Sequence, residues 1–278
     1  GVNSDGDNFG ELAIELTLRD SNGNEGSHTA GSSRITSLDA NTLAFQPTPV
    51  INGVSTSDQD GITTAGGVTV SLSGENFQRT TEKVTVSYGE TSSADTFSAT
   101  ACSITSNTQI ECTASAGIGG SLKWKATIAE RVTSAASTAT LGYKQPVITL
   151  ITSSATLSEL STEGGEPITL TGTDFGPTSN NLVTAEYQNA GLQSAYAKRE
   201  FSASGCAVSV AHTEITCTSA EGAGKDQQWK VTVGDQTSSA SSSTTSYAAP
   251  AITAFDPAVY ITSAATPVTI TGTNFGVV

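Results

Sequence analysis

The chain has 278 residues, a formal charge of −14 and a pI near 4.4. That balance offers nucleic acid no basic footprint and anionic lipid no polybasic stretch, and no apolar run of about eighteen residues provides a membrane span. Serine and threonine number 81, methionine is absent, and β-branched residues alternate with polar ones, which is the composition of an all-β protein rich in turns.

Residue 1 is Gly rather than Met, so the start is expected to follow processing or a boundary in a longer chain. Asn3-Ser-Asp5-Gly-Asp7-Asn8 has the alternating oxygen ligands of a short calcium loop. It lacks the distal glutamate, so Asp5 and Asp7 are weak metal candidates and a polar turn is the simpler reading. Ser57-Asp-Gln-Asp60-Gly61 is a weaker version of the same pattern. The motif Gly6-Asp-Asn8-Phe9-Gly10 precedes the cleanest alternation in the chain, with Leu12, Ile14, Leu16 and Leu18 on one face of a strand. Asp20 to Gly26 reads as a turn or loop, and Asn41-Thr-Leu43-Ala-Phe45 resembles a closing strand. Residues 1–48 therefore form an N-terminal β segment that matches no complete repeat.

From residue 49 a unit of about 100 residues recurs, giving expected domains at 49–145 and 146–249 and a partial third at 250–278. Each opens with Pro-x-Ile, at Pro49-Val-Ile51, Pro146-Val-Ile148 and Pro250-Ala-Ile252. Proline cannot donate to a ladder and suits the first residue of a strand, so these prolines mark joints too short to be flexible linkers. A double glycine, Gly66-Gly67 or Gly164-Gly165, precedes an alternating strand in the two full copies: Val68 to Leu72 and Ile168 to Thr171, with Val268 to Thr271 as the third counterpart. Gly74-Glu-Asn76-Phe77, Gly172-Thr-Asp174-Phe175-Gly176 and Gly272-Thr-Asn274-Phe275-Gly276 then turn the chain and plug the sandwich end with a ring. A third strand follows, around Val84 to Tyr88 or Leu182 to Tyr187. Next come a cysteine hairpin, a Gly-rich turn, a Trp strand around Trp124 or Trp229, and a closing aromatic strand at Tyr143 or Tyr247. About seven strands per unit is the count of an Ig-like sandwich.

The cysteines fall in two local pairs at the same place in the repeat, Cys102 with Cys112 and Cys206 with Cys217. The spacing suits facing positions across a hairpin and suits zinc poorly, because His28 and His212 are the only histidines. The pairs read as two intradomain disulfides rather than free thiols, which places the chain in an oxidising, extracellular or cell-surface compartment. The series Pro-x-Ile, Gly-Gly, Ile-x-Leu-x-Gly-x-Asp-Phe-Gly and Cys…Ile-x-Cys resembles the IPT/TIG family, Ig-like modules of plexin-type receptors, of some transcription factors and of many large extracellular proteins. The resemblance spans residues 49–278, and the first copy departs from it with Gln78 where Gly is usual. It implies tandem Ig-like (IPT/TIG) β-sandwiches, two complete and one split or truncated, that serve structure or adhesion and carry no catalytic residues. The acidity and the paired cysteines argue against its DNA-binding branch.

The N-terminus holds late strands without early ones, and the C-terminus early strands without late ones. One expectation is a fibre subunit that polymerises head to tail, with Leu12, Ile14, Leu16 and Leu18 as donor and Val268, Ile270 and Phe275 on the acceptor. The alternatives are an excerpt of a large cell-surface adhesin or carbohydrate-binding array, and a 1–48 segment that folds as an abbreviated domain of its own. The hydroxyl-rich stretches Thr133 to Thr140 and Thr237 to Ser246 are candidate O-glycan carriers or solvated turns; no Asn-x-Ser/Thr acceptor occurs. Trp124 and Trp229 are expected to pack rather than stack on sugars. No catalytic constellation, cofactor motif or nucleic-acid partner is indicated; the expected partners are further copies of the chain, with glycans as a second candidate.

Overall fold

Alternation of apolar and hydroxyl residues builds sheets with one dry and one wet face, and opposing dry faces of such sheets close the cores. The computed structural model describes residues 47–58, 60–78, 80–90, 95–130, 132–180, 182–189, 200–256 and 267–276. The first sandwich contains β1 (Val50–Thr56), β2 (Thr69–Glu75), β3 (Val84–Glu90), β4 (Phe97–Ser98), β5 (Thr100–Ser106), β6 (Gln109–Thr113), β7 (Leu122–Ile128) and β8 (Val132–Thr133). One sheet runs β1-β2-β6-β5 and the other β4-β3-β7-β8, with antiparallel neighbours throughout.

The second sandwich repeats this plan. Its strands are β9 (Val147–Ser153), β10 (Pro167–Thr173), β11 (Val183–Asn189), β12 (Glu200–Ser202), β13 (Ser204–Val210), β14 (Glu214–Thr218), β15 (Gln227–Val233), β16 (Gln236–Thr237) and β17 (Thr244–Thr245). They form sheets β9-β10-β14-β13 and β12-β11-β15-β16, with β17 also on β15. A final antiparallel pair, β18 (Ala251–Asp256) and β19 (Thr269–Thr273), stands without a facing sheet among the described residues. Residues 46–278 group as one compact unit.

Each core is built around an aromatic stack. Tyr88 lies on Trp124 at 4.0 Å between ring centroids, and Tyr187 on Trp229 at 4.1 Å. Phe97 and Phe201 flank these stacks. Both tryptophans are fully buried, so they pack as expected. The Tyr88 and Tyr143 hydroxyls meet at 2.9 Å, and Tyr143 donates to the Ser115 carbonyl at 2.8 Å. The second core repeats this with Tyr187, Tyr247 and the Ala220 carbonyl. Each hydroxyl buried with its ring thus has a partner, without which its burial would be costly.

The closing aromatic strand is corrected. Tyr143 and Tyr247 each form a single parallel bridge, to Ile62 and Leu160. The Ser-rich stretch before each runs along the Trp strand instead. Ser134 and Ser137 are buried; their Oγ atoms accept the amides of Ala126 and Trp124 at 3.0 Å each, while their own amides return to the carbonyls of the same residues. Ser238 and Ser241 do the same for Val231 and Trp229. Buried amides must find acceptors, and here side chains supply half of the ladder. These four hydroxyls are unavailable to sugars, which corrects that part of the O-glycan expectation.

Candidate functional site

The third strand pair copies the first two strands of a sandwich residue for residue. In both full copies a glycine of the second strand faces the opening isoleucine, Ile51↔Gly74 and Ile148↔Gly172, and Ile252↔Gly272 repeats it. The glycine is required because a Cβ at Gly272 would lie 2.0 Å from the Ala251 carbonyl oxygen. The following Asn274 is left-handed at φ 60°, as are Asn76 and Asp174, a conformation that short polar side chains tolerate. Asn274 Nδ2 then donates to the Ala249 carbonyl at 3.1 Å and fixes the turn that aims Phe275.

What differs is coverage. Ile148, Ile151, Ile168, Leu170 and Phe175 are all buried in the second core, at 8% exposure or less. Their counterparts Ile252, Phe255, Val268, Ile270 and Phe275 are 54%, 52%, 46%, 50% and 52% exposed. This is one apolar sheet face with core identity and, among the described residues, no facing sheet. Of the residues singled out from sequence, Val268, Ile270 and Phe275 lie together on it. Ile252 and Phe255 belong with them, and the β-pairing register is the signal that adds them. Leu12, Ile14, Leu16, Leu18, Asp5, Asp7 and His28 lie outside the described residues.

The joint between the two sandwiches is built from turns at their adjoining ends. Ile118, in the Gly-rich turn of the first sandwich, packs against the second core. It lies over Gly176 and Gly234, where an added Cβ would come within 2.5 and 3.3 Å of its side chain. Asp174 Oδ1 accepts the Thr64 amide at 3.0 Å, and the Thr64 hydroxyl meets His212 Nδ1 at 3.0 Å. Asp235 Oδ1 accepts the Gly120 amide at 2.8 Å, and Gln236 Nε2 donates to the Tyr143 carbonyl at 2.8 Å. His212 is thereby assigned to the joint. Gln78, the departure from the turn motif, holds the left-handed conformation at φ 70° that Gly176 and Gly276 hold at 82° and 80°.

Cys102–Cys112 and Cys206–Cys217 are disulfides, each joining the two strands of a hairpin at a bulge, β5 to β6 and β13 to β14. Lys144 pairs with Asp58 and holds that carboxyl below its usual range. Burial pushes the Tyr143 hydroxyl far above the ordinary tyrosine value, and raises Tyr88 and Tyr187. Among the described residues no group of three or more His, Cys, Asp or Glu could hold a metal ion, and no helix is long and apolar enough to cross a membrane. Asp58 and Asp60 belong to a turn, where the Asp60 amide donates to Asp58 Oδ1 at 3.2 Å.

No curated protein matches the chain. Solved structures similar to it include SGBP-B from a complex xyloglucan utilization locus in Bacteroides uniformis, at 17% identity over 69% of this chain and 48% of that one, with a TM-score of 0.26. A structure determined with a xylogluco-oligosaccharide matches at 18% identity over 82% of this chain and 47% of that one, TM-score 0.38. The Escherichia coli adhesin FdeC matches at 16% identity over 68% and 62%, TM-score 0.29. The chain thus spans about half the length of the first two. The IPT/TIG domain model matches residues 49–143 and again 146–247. With most of its length taken up by these two matches, the chain belongs to the IPT/TIG domain family.

Proposed function

We propose that the protein is an extracellular structural subunit that assembles head to tail, the open face of β18 and β19 being completed by strands from the N-terminal segment of the next copy. The observation that carries the reading is the exposure of Ile252, Phe255, Val268, Ile270 and Phe275, whose counterparts are core. An apolar face and unpaired edges of this kind invite strand addition. Leu12, Ile14, Leu16 and Leu18 offer the complementary alternation. Each would contribute roughly 1.5–3 kcal/mol if fully buried. A head-to-tail contact of this type does not close on itself and gives a filament. The two disulfides favour an oxidising compartment.

The contrasting reading is a monomeric adhesive or glycan-binding array. Sugar platforms need exposed rings, and among the described residues those are Phe255 and Phe275 on the open face itself. The test is electron microscopy and light scattering of the full chain beside an Ile14→Lys, Leu16→Lys double variant. Filaments from the parent and monomers from the variant support assembly. A parent that stays monomeric, or a variant that polymerises like it, overturns it.

A further inference from the structure

The second joint, between the second sandwich and the third strand pair, differs from the first in the side chains that the second sandwich brings to it. Aligning the repeats places Ala223 where Ile118 stands, Lys225 where Gly120 stands, and Tyr247, Asn274 and Phe275 where Tyr143, Asp174 and Phe175 stand. A cavity of about 450 Å³ opens there, lined by Ala223, Lys225, Tyr247, Pro250, Asn274 and Phe275. In the first joint, a large side chain from the preceding sandwich (Ile118) meets glycines of the following one (Gly176 and Gly234). In the second, Ala223 is small, and the Cβ position of Gly276 is 3.2 Å from its Cβ. No acceptor for the Lys225 amide is found among the described residues, whereas Gly120 gives its amide to Asp235.

The N-terminal segment has the reciprocal residues. Thr17-Leu18-Arg19-Asp20 aligns with Thr232-Val233-Gly234-Asp235, which ends β15 and makes the first joint. The alternation agrees: Leu12, Ile14, Leu16 and Leu18 fall on Gln227, Trp229, Val231 and Val233, all buried. The aspartate is retained, and the glycine that faces Ile118 becomes arginine opposite alanine.

We propose that this cavity is the docking site for residues Leu18–Asp20 of a second copy, with Arg19 laid over Ala223 and the Asp20 carboxylate accepting the Lys225 amide. Size complementarity is reversed between the joints: large on glycine in the first, alanine under large in the second. The long aliphatic stem of arginine suits an apolar floor with its charged head in water, and the Lys225 ammonium adds a favourable charge for Asp20. The swap makes the second joint selective for a segment that carries a bulky residue before the aspartate, so the turns that end β7 and β15, with Ala129 and Gly234 at that place, fit it less well.

The inference rests on head-to-tail assembly, and the test separates the two. The lowest concentration at which the full chain polymerises is measured by sedimentation for the parent, for Ala223→Ile, and for Ala223→Ile combined with Arg19→Gly. Ala223 is exposed, so the substitution leaves the second core intact, which circular dichroism verifies. The expected result is a rise of about tenfold for Ala223→Ile, the scale of one lost well-packed contact, and recovery in the combined variant, which recreates the Ile118–Gly234 pairing. A parent that polymerises while Ala223→Ile polymerises equally well, or a combined variant that does not recover, overturns the docking site and leaves assembly standing. A monomeric parent overturns both.

Discussion

Ile118 is the side chain through which the first sandwich reaches the second core, and its removal tests whether the joint is a mechanical coupling. Ile118→Ala deletes roughly three methyl or methylene groups, each worth about 0.8 kcal/mol when buried. Full burial would give about 2.4 kcal/mol; Ile118 is half-buried against the second core, so about 1.5 kcal/mol is expected. Urea unfolding monitored by tryptophan fluorescence reads the loss, because Trp124 and Trp229 each lie in one core. Hydrogen exchange assigns it, with protection falling in β15 more than in β2. Gly234→Ala adds a coupling measurement: its Cβ would stand 3.3 Å from Ile118 Cδ1, so it should cost more in the parent than in the Ile118→Ala background. A loss below about 0.5 kcal/mol, within the range of an ordinary surface substitution, would refute the reasoning and leave two sandwiches that merely touch.

Alkaline pH should unfold the protein through its core tyrosines. Their folded values are raised by burial, so the stability they contribute is complete below the unfolded value near 10 and is lost progressively as pH climbs above it; Tyr143→Phe should flatten that decline in a pH series of urea midpoints. Ala101 is left-handed at φ 48° where the second sandwich has Gly205 at φ 59°, so Ala101→Gly should stabilise by about 1 kcal/mol in thermal unfolding, and Gln78→Gly by a similar amount. Ser241→Ala removes the acceptor of the buried Trp229 amide and should cost about 1–3 kcal/mol, whereas substituting exposed Ser242 should change little. Replacing Cys206 and Cys217 by serine opens a short loop and should cost about 2–3 kcal/mol, read in the same denaturation assay.

Strand positions were legible because period-two alternation is a direct imprint of a half-buried sheet: Val70 and Leu72, or Ile168 and Leu170, could face only inward. The cysteine hairpins were legible from spacing alone, and Phe77, Phe175 and Phe275 from the glycine and the asparagine or aspartate that turn the chain before them. The seal over the Trp strand was not. Thr133 to Thr140 looks like solvated loop because serine is equally at home in water, and only the ladder shows that Ser134 and Ser137 accept amides. The joint was hidden for another reason. Thr64 and Asp174 are 110 residues apart, and no local pattern says which turns meet. Ile118 carries no signal within a Gly-rich turn, because a single apolar residue has no period.

A chain that repeats itself risks pairing the wrong copies, since neighbouring repeats present almost the same strands at high local concentration. The serine stretches bear on that risk. An intruding strand needs a row of free amides, yet on β7 and β15 the amides of Trp124, Ala126, Trp229 and Val231 already point into hydroxyls. The serine stretches also return their own amides to the same strands, so this side of β7 and β15 is already occupied. The two sandwiches are thereby blunted along this side, so neighbouring repeats are less able to pair with each other there.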